Sequence, residues 1–459
     1  MNRIIPLKVL QGSSTTQESR EPVASAPFGR TAPVVSPTGG EKHVELSSIH
    51  DFASKLTQPD LLPRLKAYVR WYAEAVRARG EGHRIPQNRL EDLMVPDFAP
   101  VSINLDITTA CNYACDHCVD MDILNQGIKY NHENLMKSLE LMVDRGLKSV
   151  IVIGGGEPTL YPKFEESLRF MKSLGLQVSI VSNGSGQKKI AAVADCLDET
   201  DWVRLSLDSA SEDVFQRMHK PKRPITLDEI CAGVPEIKAI NPRFKIGFSF
   251  IITWKGAYIN DTDIVENLPE IVPGAERARD YQFDYISFKP FLTRAPDNNA
   301  EIVDLRERDT HFAEIVTAIR KEIDEAQKLE TDSFKVYETT NLKVLENRSY
   351  KNYTQQPHHC HMQFFRQVLS PLGMYNCPVY RNQPHGFLGT KEAYSDEPLY
   401  GQTRTSTADL IENFDATEEC QEVTCLYNHV NWWIEHLIEH PEELDTLKSS
   451  ELPEPDYFL

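Results

Sequence analysis

Between residues 100 and 295, short apolar runs alternate with helical patterns, and this alternation limits the fold more than any other feature of the chain. Six runs have strand length: 103–107, 150–153, 178–181, 202–207, 245–253 and 285–290. Strand, helix and strand in turn predict βαβ units and a parallel sheet. The first helix starts at Asn131, which can cap its N-terminus, and stops at Gly146. Leu135, Leu139 and Val143 give it an apolar stripe. A second opens with Pro162 and closes near Gly175. In parallel α/β folds, ligand-binding residues gather at the C-terminal ends of the strands.

The first of those ends carries Cys111, Cys115 and Cys118, spaced C-x3-C-x2-C. Three thiolates can hold three irons of a [4Fe–4S] cluster and leave the fourth open to a ligand. Zinc loops favour paired C-x2-C knuckles with four ligands, and the count of three with unequal gaps favours iron–sulfur. The second end carries Gly154, Gly155, Gly156, Glu157 and Pro158. Glycine admits close approach of backbone to a ligand, and Glu157 can accept a hydrogen bond from an ammonium or remain a solvated carboxylate. Ser182 and Asn183 follow the third run, and Ser206 and Asp208 end the fourth. Such residues can hold ligand hydroxyls, or cap helices as Ser209 and Ser211 could.

The cysteine loop resembles the CxxxCxφC signature of the radical S-adenosylmethionine (SAM) enzymes, with His117 as the ring at φ. The glycine run resembles the segment with which that family holds the amino group of SAM, which points to Gly155, Gly156 and Glu157. The resemblance implies a partial (β/α)6 barrel and implies that Ser182, Asn183, Ser206 and Asp208 contact SAM hydroxyls or carboxylate. It implies further that an open iron chelates SAM and that one electron breaks the sulfonium bond. A 5′-deoxyadenosyl radical then takes hydrogen from a substrate. An external one-electron reductant such as flavodoxin or ferredoxin is the implied partner.

Four further cysteines cluster late: Cys360, Cys377, Cys420 and Cys425. The segment from His358 to Tyr380 resembles the opening of a SPASM or twitch extension, with Gly373 in a hairpin turn between two cysteines. That resemblance implies one auxiliary [4Fe–4S] cluster held by all four. Their spacing also suits a zinc site with four thiolates. His358, His359 and His361 are candidate substitute ligands or surface residues. Cys196 and Cys231 lie in helical patterns and read as core.

The expected organisation is α/β: the partial radical SAM barrel with a helical N-terminal extension and a small C-terminal auxiliary-cluster domain. The boundaries are a disordered tail over 1–45, the helical extension over 46–98, the core over 99–295, a helical connector over 296–355 and the auxiliary domain over 356–459. The tail is rich in Ser, Thr, Pro and Gly. Leu62, Leu65, Val69 and Tyr72 give the extension its helical period; it could dock a partner or cover the barrel as a lid. A net charge of −19 argues against nucleic acid or an anionic membrane as main partner. No apolar run reaches membrane-spanning length, no secretion signal is read, and the nine cysteines suit a cytoplasmic setting. For the substrate, the reading is a small sugar- or aminocyclitol-like molecule that is oxidised or rearranged. The alternative is a peptide or protein side chain, and the remote one is a non-enzymatic zinc scaffold.

Overall fold

The structure is a computed structural model and describes residues 30–35, 41–46, 50–79, 95–259, 262–294, 301–302, 309–349 and 351–459. Eight strands in it run parallel in one open sheet: β1 (Ser102–Leu105), β2 (Ser149–Val152), β3 (Gln177–Ser182), β4 (Trp202–Ser206), β5 (Lys245–Ile252), β6 (Tyr285–Pro290), β7 (Lys335–Glu338) and β8 (Arg366–Ser370). Their spatial order is β7-β6-β5-β4-β3-β2-β1-β8. Two antiparallel strands, β9 (Gly373–Tyr375) and β10 (Phe387–Gly389), continue the sheet beyond β8.

The six strands expected from the apolar runs are β1 to β6, each displaced by at most two residues at either end. Alternation within them divides two faces. Val150, Val152, Val203, Leu205, Phe248 and Phe250 are buried in the core cluster. The helices between the strands complete it, and their ends follow local chemistry. Asn131 accepts from the N–H groups of Glu133 and Asn134, and Gly146 takes φ +98° after helix His132–Asp144. The next helix, Phe164–Ser173, starts after Pro162 rather than on it. Ser211 caps helix Glu212–His219, as a plain helix start requires.

Two features differ from the expectation. The connector is not wholly helical: between helix Asp309–Gln327 and helix Thr340–Glu346 it contributes β7, paired in register with β6. The sequence KVYE is too short and too polar to announce a strand by itself; the ladder of an existing sheet holds it. The cysteine-flanked hairpin, β8 and β9, forms as expected around Gly373, but β8 also pairs with β1. The late segment is therefore built into the barrel sheet.

The N-terminal helix Leu62–Arg79 is not a lid. Leu65, Tyr68, Val69 and Tyr72 share a second core with Trp433, Ile434 and Leu437 of helix Asn428–Glu439. Arg64 donates to the carbonyls of Gly146 and Ala99, just ahead of β1. Within the expected tail, Arg30–Val35 and Glu41–Leu46 pair as an antiparallel hairpin; the rest of 1–45 lies outside the described residues, as do 80–94. Residues 455–459 close the end where the strands begin. Gln177 exchanges hydrogen bonds with Pro455 and Tyr457, Ser149 donates to Tyr457 O, and Phe458 meets the Trp202 ring edge-on at 5.5 Å.

Candidate functional site

Because β1 to β8 are parallel, the loops leaving their C-terminal ends meet on one rim, around a cavity of about 450 Å³. The cysteine loop leaves β1. Its shape is set from outside: Ala114 N–H donates to His219 O, Lys222 N–H to Asn112 O, and Cys111 N–H to Asn125 Oδ1. Cys111, Cys115 and Cys118 all line the cavity. Burial raises the Cys111 thiol, drives Cys118 up to about 12, and with the neighbouring thiols holds Cys115 well above its ordinary value. Thiols that would repel one another as anions suit a cationic core between them, so this donor set fits an iron–sulfur cluster.

The glycine loop after β2 lies directly on the cysteine loop. A Cβ at Gly156 would stand 2.3 Å from Ala110 O, and one at Gly155, where φ is +79°, 2.8 Å from Thr108 O. No larger residue fits either position without moving backbone. Gly154 faces Arg381 instead, whose Nη1 would lie 2.6 Å from a Cβ there.

Glu157 is buried, and four donors from within the chain meet its carboxylate. Oε1 accepts from Thr159 N–H (3.1 Å), Thr159 Oγ1 (2.6 Å) and Ser182 Oγ (2.8 Å), while Oε2 accepts from Asn183 N–H (2.7 Å). Glu157 N–H in turn donates to Ala110 O. Oε2 accepts only from Asn183 N–H and so keeps one acceptor position, and Glu157 lines the cavity, where an ammonium could reach it. Ser182 and Asn183 belong to the same brace. Ser182 also accepts from Gly184 N–H, and Asn183 spans Asn112 of the cysteine loop and Ser185.

His117 and Asp208 form a pair. Asp208 takes φ +52° and accepts from Ile251 N–H through Oδ1, and Oδ2 lies 3.3 Å from His117 Nε2 and 3.4 Å from His219 Nε2. Against burial, which would raise it, His117 and His219 keep the Asp208 carboxyl below its ordinary value. His219 Nε2 donates to Leu207 O, and its Nδ1 lies 3.4 Å from Cys115 Sγ. Ser206 lines the cavity.

Sequence reasoning missed Arg381, Asp106, Asp120, His219 and Arg204, all at this site. Arg381 bonds both oxygens of Asp106 at 3.0 and 3.1 Å and pairs with Asp120, whose Oδ2 accepts from Gly155 N–H. One guanidinium thus ties the residue before the cysteine loop to the residue after it and to the glycine loop. Burial, aided by Asp120 and opposed by Arg381, pushes Asp106 up to about 7. The two aspartates flank the cysteine motif, a signal available in the sequence; nothing local marks Arg381.

Cys360, Cys377, Cys420 and Cys425 come together at one place. Val379 shares one apolar cluster with Cys420 and Cys425 and another with Cys360, Cys377 and Cys420, and it also lines the cavity. Burial drives Cys360 up to about 12 and raises Cys377; burial and the neighbouring thiols lift Cys420 and Cys425 well above ordinary values. This donor set also fits a metal group. His358 pairs with Asp415, and His359 and His361 hold Glu435 at 3.3 and 3.1 Å. His361 is buried rather than on the surface, and Tyr68 Oη meets its other nitrogen at 2.7 Å. Cys231 is buried in the core, and Cys196 packs against it.

Residues 105–268 match the family model described as the radical SAM superfamily. An S-adenosylmethionine-dependent nucleotide dehydratase from Thermoplasmatales archaeon (strain ISO4-H5) is 34% identical over 113 residues, covering 24% of this chain and 39% of that protein. Mycofactocin maturase MftC from Mycobacterium ulcerans (strain Agy99) is 31% identical over 123 residues, covering 25% of this chain and 31% of that protein. The chain thus spans well under half the length of either. The solved structure of SuiB from Streptococcus suis is 14% identical, with a TM-score of 0.45, over 82% of this chain and 89% of that one. The matched segment contains the cysteine loop, the glycine loop and strands β2 to β5; over this segment the chain is similar to the radical SAM superfamily, whose cofactors, a [4Fe–4S] cluster and S-adenosylmethionine, these residues fit.

Proposed function

We propose that the chain is an enzyme that cleaves S-adenosylmethionine reductively and removes hydrogen from a small molecule, with oxidation or rearrangement. The observation that carries this reading is the meeting of three thiols, the glycine loop and a cavity of about 450 Å³ on one rim. Cys111, Cys115 and Cys118 would hold the first cluster, and Cys360, Cys377, Cys420 and Cys425 an auxiliary one. When bound, the first cluster and SAM supply one electron and a carbon-centred radical able to abstract hydrogen. The chain's own residues orient and enclose. Glu157, Ser182 and Asn183 brace the glycine loop on the cysteine loop. Arg381, Asp106 and Asp120 lock it from the other side. Pro378, Val379 and Asn382 wall the cavity and keep water from the reacting atoms. The electron would come from an external carrier such as flavodoxin or ferredoxin, in a cytoplasmic setting.

The test is anaerobic, with dithionite as reductant. Wild type should form 5′-deoxyadenosine from SAM, and the variant with alanine at all three rim cysteines should not; equal rates would sink the reading. A cavity of this volume favours a small substrate; a peptide side chain is the alternative, favoured if a synthetic peptide but no small molecule quickens SAM cleavage. A zinc reading rests on one observation: the ligand atoms of Cys115, His117 and His219 lie within 4.8 Å of one another. Iron with sulfide in purified protein supports the first reading, and zinc without sulfide the second.

A further inference from the structure

The inner face of the sheet carries charge that the described residues do not neutralise. Arg204, on β4, lines the cavity. Its Nε has no hydrogen-bond partner, and its guanidinium stacks 5.3 Å from the Trp202 ring below it. Among the described residues it makes no ion pair. Among the described residues, Arg366, on β8, bonds only neutral groups, Asn104 Oδ1 at 2.7 Å and Tyr427 Oη, and its Nε is likewise without a partner there. Asn104 lines the cavity. The same cavity is lined by the carboxylates of Asp120, Asp122, Glu157 and Asp208 nearer its rim, so Arg204 stands out as a cation without an ion-pair partner among the described residues.

Hydroxyls accompany the charge. Ser206 on β4 is in register with Ser249 on β5, and Ser249 with Ser287 on β6. Residues in register share a face, so the three form one row beside Arg204. Ser249 and Ser287 are buried, and neither Oγ has a hydrogen-bond partner among the described residues. Buried hydroxyls are seldom left so, unless a ligand or water completes them. In the next row, a Cβ at Gly247 would stand 2.1 Å from the Tyr285 ring, so glycine lets that ring lie across β5 toward Arg204. The cationic surroundings are felt elsewhere: burial, with Lys55, His429, Arg204 and Arg366, lowers His50 to about 3.

We propose that the Arg204 guanidinium and the Ser206–Ser249–Ser287 row form an oxyanion subsite, so that the substrate carries a carboxylate or phosphate docked on the cavity floor. A guanidinium fork and adjacent hydroxyl donors are matched to such a group. The inference rests on the function proposed above and narrows it to an acidic or phosphorylated small molecule.

The experiment uses reconstituted holoenzyme with saturating SAM, titrated calorimetrically with inorganic pyrophosphate and, separately, with glutarate. One of the two should bind, and which one distinguishes phosphate from carboxylate chemistry. Arg204→Gln should weaken that binding on the order of tenfold to a hundredfold, Ser249→Ala by several-fold, and Arg204→Lys less than Arg204→Gln. SAM affinity, the readout that separates a substrate subsite from a SAM subsite, should stay within a factor of two in all three variants, whose folding is checked by melting temperature. Unchanged oxyanion affinity in Arg204→Gln would overturn the proposal, as would failure of both anions to bind wild type. Loss of SAM affinity in parallel with oxyanion affinity would also overturn it, by assigning Arg204 to the SAM carboxylate. If wild type binds an oxyanion through Arg204 but never cleaves SAM, the subsite stands and the radical reading fails.

Discussion

Glu157 and Arg381 show how single side chains hold two loops together. Replacing Glu157 with Ala leaves the N–H groups of Asn183 and Thr159 buried without their acceptor. Unsatisfied buried donors cost about 1–3 kcal/mol each, so the cluster-free chain should lose about 3 kcal/mol of stability, read as an earlier urea midpoint. An unmoved midpoint with a tenfold weaker SAM affinity would make Glu157 a direct SAM ligand instead. Arg381→Met leaves Asp106 and Asp120 facing each other without their cation. Breaking a buried pair in this way costs about 3–5 kcal/mol. Iron content should survive while SAM binding weakens about tenfold, with partial recovery in Arg381→Lys. Equal SAM affinity in all three proteins would remove Arg381 from the positioning role.

At the scale of elements, the barrel is extended at both edges and closed at its base. β7 and β8 each add a parallel neighbour to strands the apolar pattern already defines, β6 and β1. Residues 455–459 cover the base, where Phe458 packs on Trp202 and Lys55 bonds Phe458 O at 2.6 Å and Asp456 at 2.9 Å. Phe458→Ala should cost about 3 kcal/mol, at the low end for a buried aromatic. It should also expose Trp202 and shift tryptophan emission to the red. Emission at the wild-type wavelength together with wild-type stability would show that this segment does not seal the base.

For the whole molecule, the two groups of cysteines predict separable metal content. Alanine at Cys111, Cys115 and Cys118 should leave about four irons per chain, and alanine at the four late cysteines should leave a similar number at the rim. Loss of all iron in either variant would mean that one group cannot assemble alone. Acid stability follows from buried histidines. Burial lowers His429 to about 4 and, with nearby cations, His50 to about 3, from an ordinary 6.5. The unfolded chain takes up protons that the folded chain refuses, so their stabilisation is complete above about pH 6.5 and falls as pH drops toward 4. Asp106, raised to about 7, has the opposite sign: its contribution is full below its ordinary 3.8 and is lost as pH rises toward 7. Urea midpoints between pH 4.5 and 6.5 should therefore flatten in His429→Gln; an unchanged slope would contradict the assignment.

Much of this architecture was legible along the chain. The alternation of apolar runs with helical periods determined β1 to β6, and parallel strands oblige the loops after β1 and β2 to share a rim. The cysteine spacing and the glycine run lie within single loops, so their chemistry could be read without knowing the fold. Asn131 and Gly146 marked a helix through bonds made within one turn. What only tertiary structure decided is who meets whom across long separations. Glu157 looked like a lone loop acceptor, yet Ser182 and Asn183, on the next strand end, both bond it. Arg381 reaches Asp106 from 275 positions away, and Arg204 becomes a cavity cation because no carboxylate among the described residues forms an ion pair with it. Periodicity and spacing act over a turn or a strand, whereas partner choice depends on which edges of a sheet come into register, and that is a property of the folded chain.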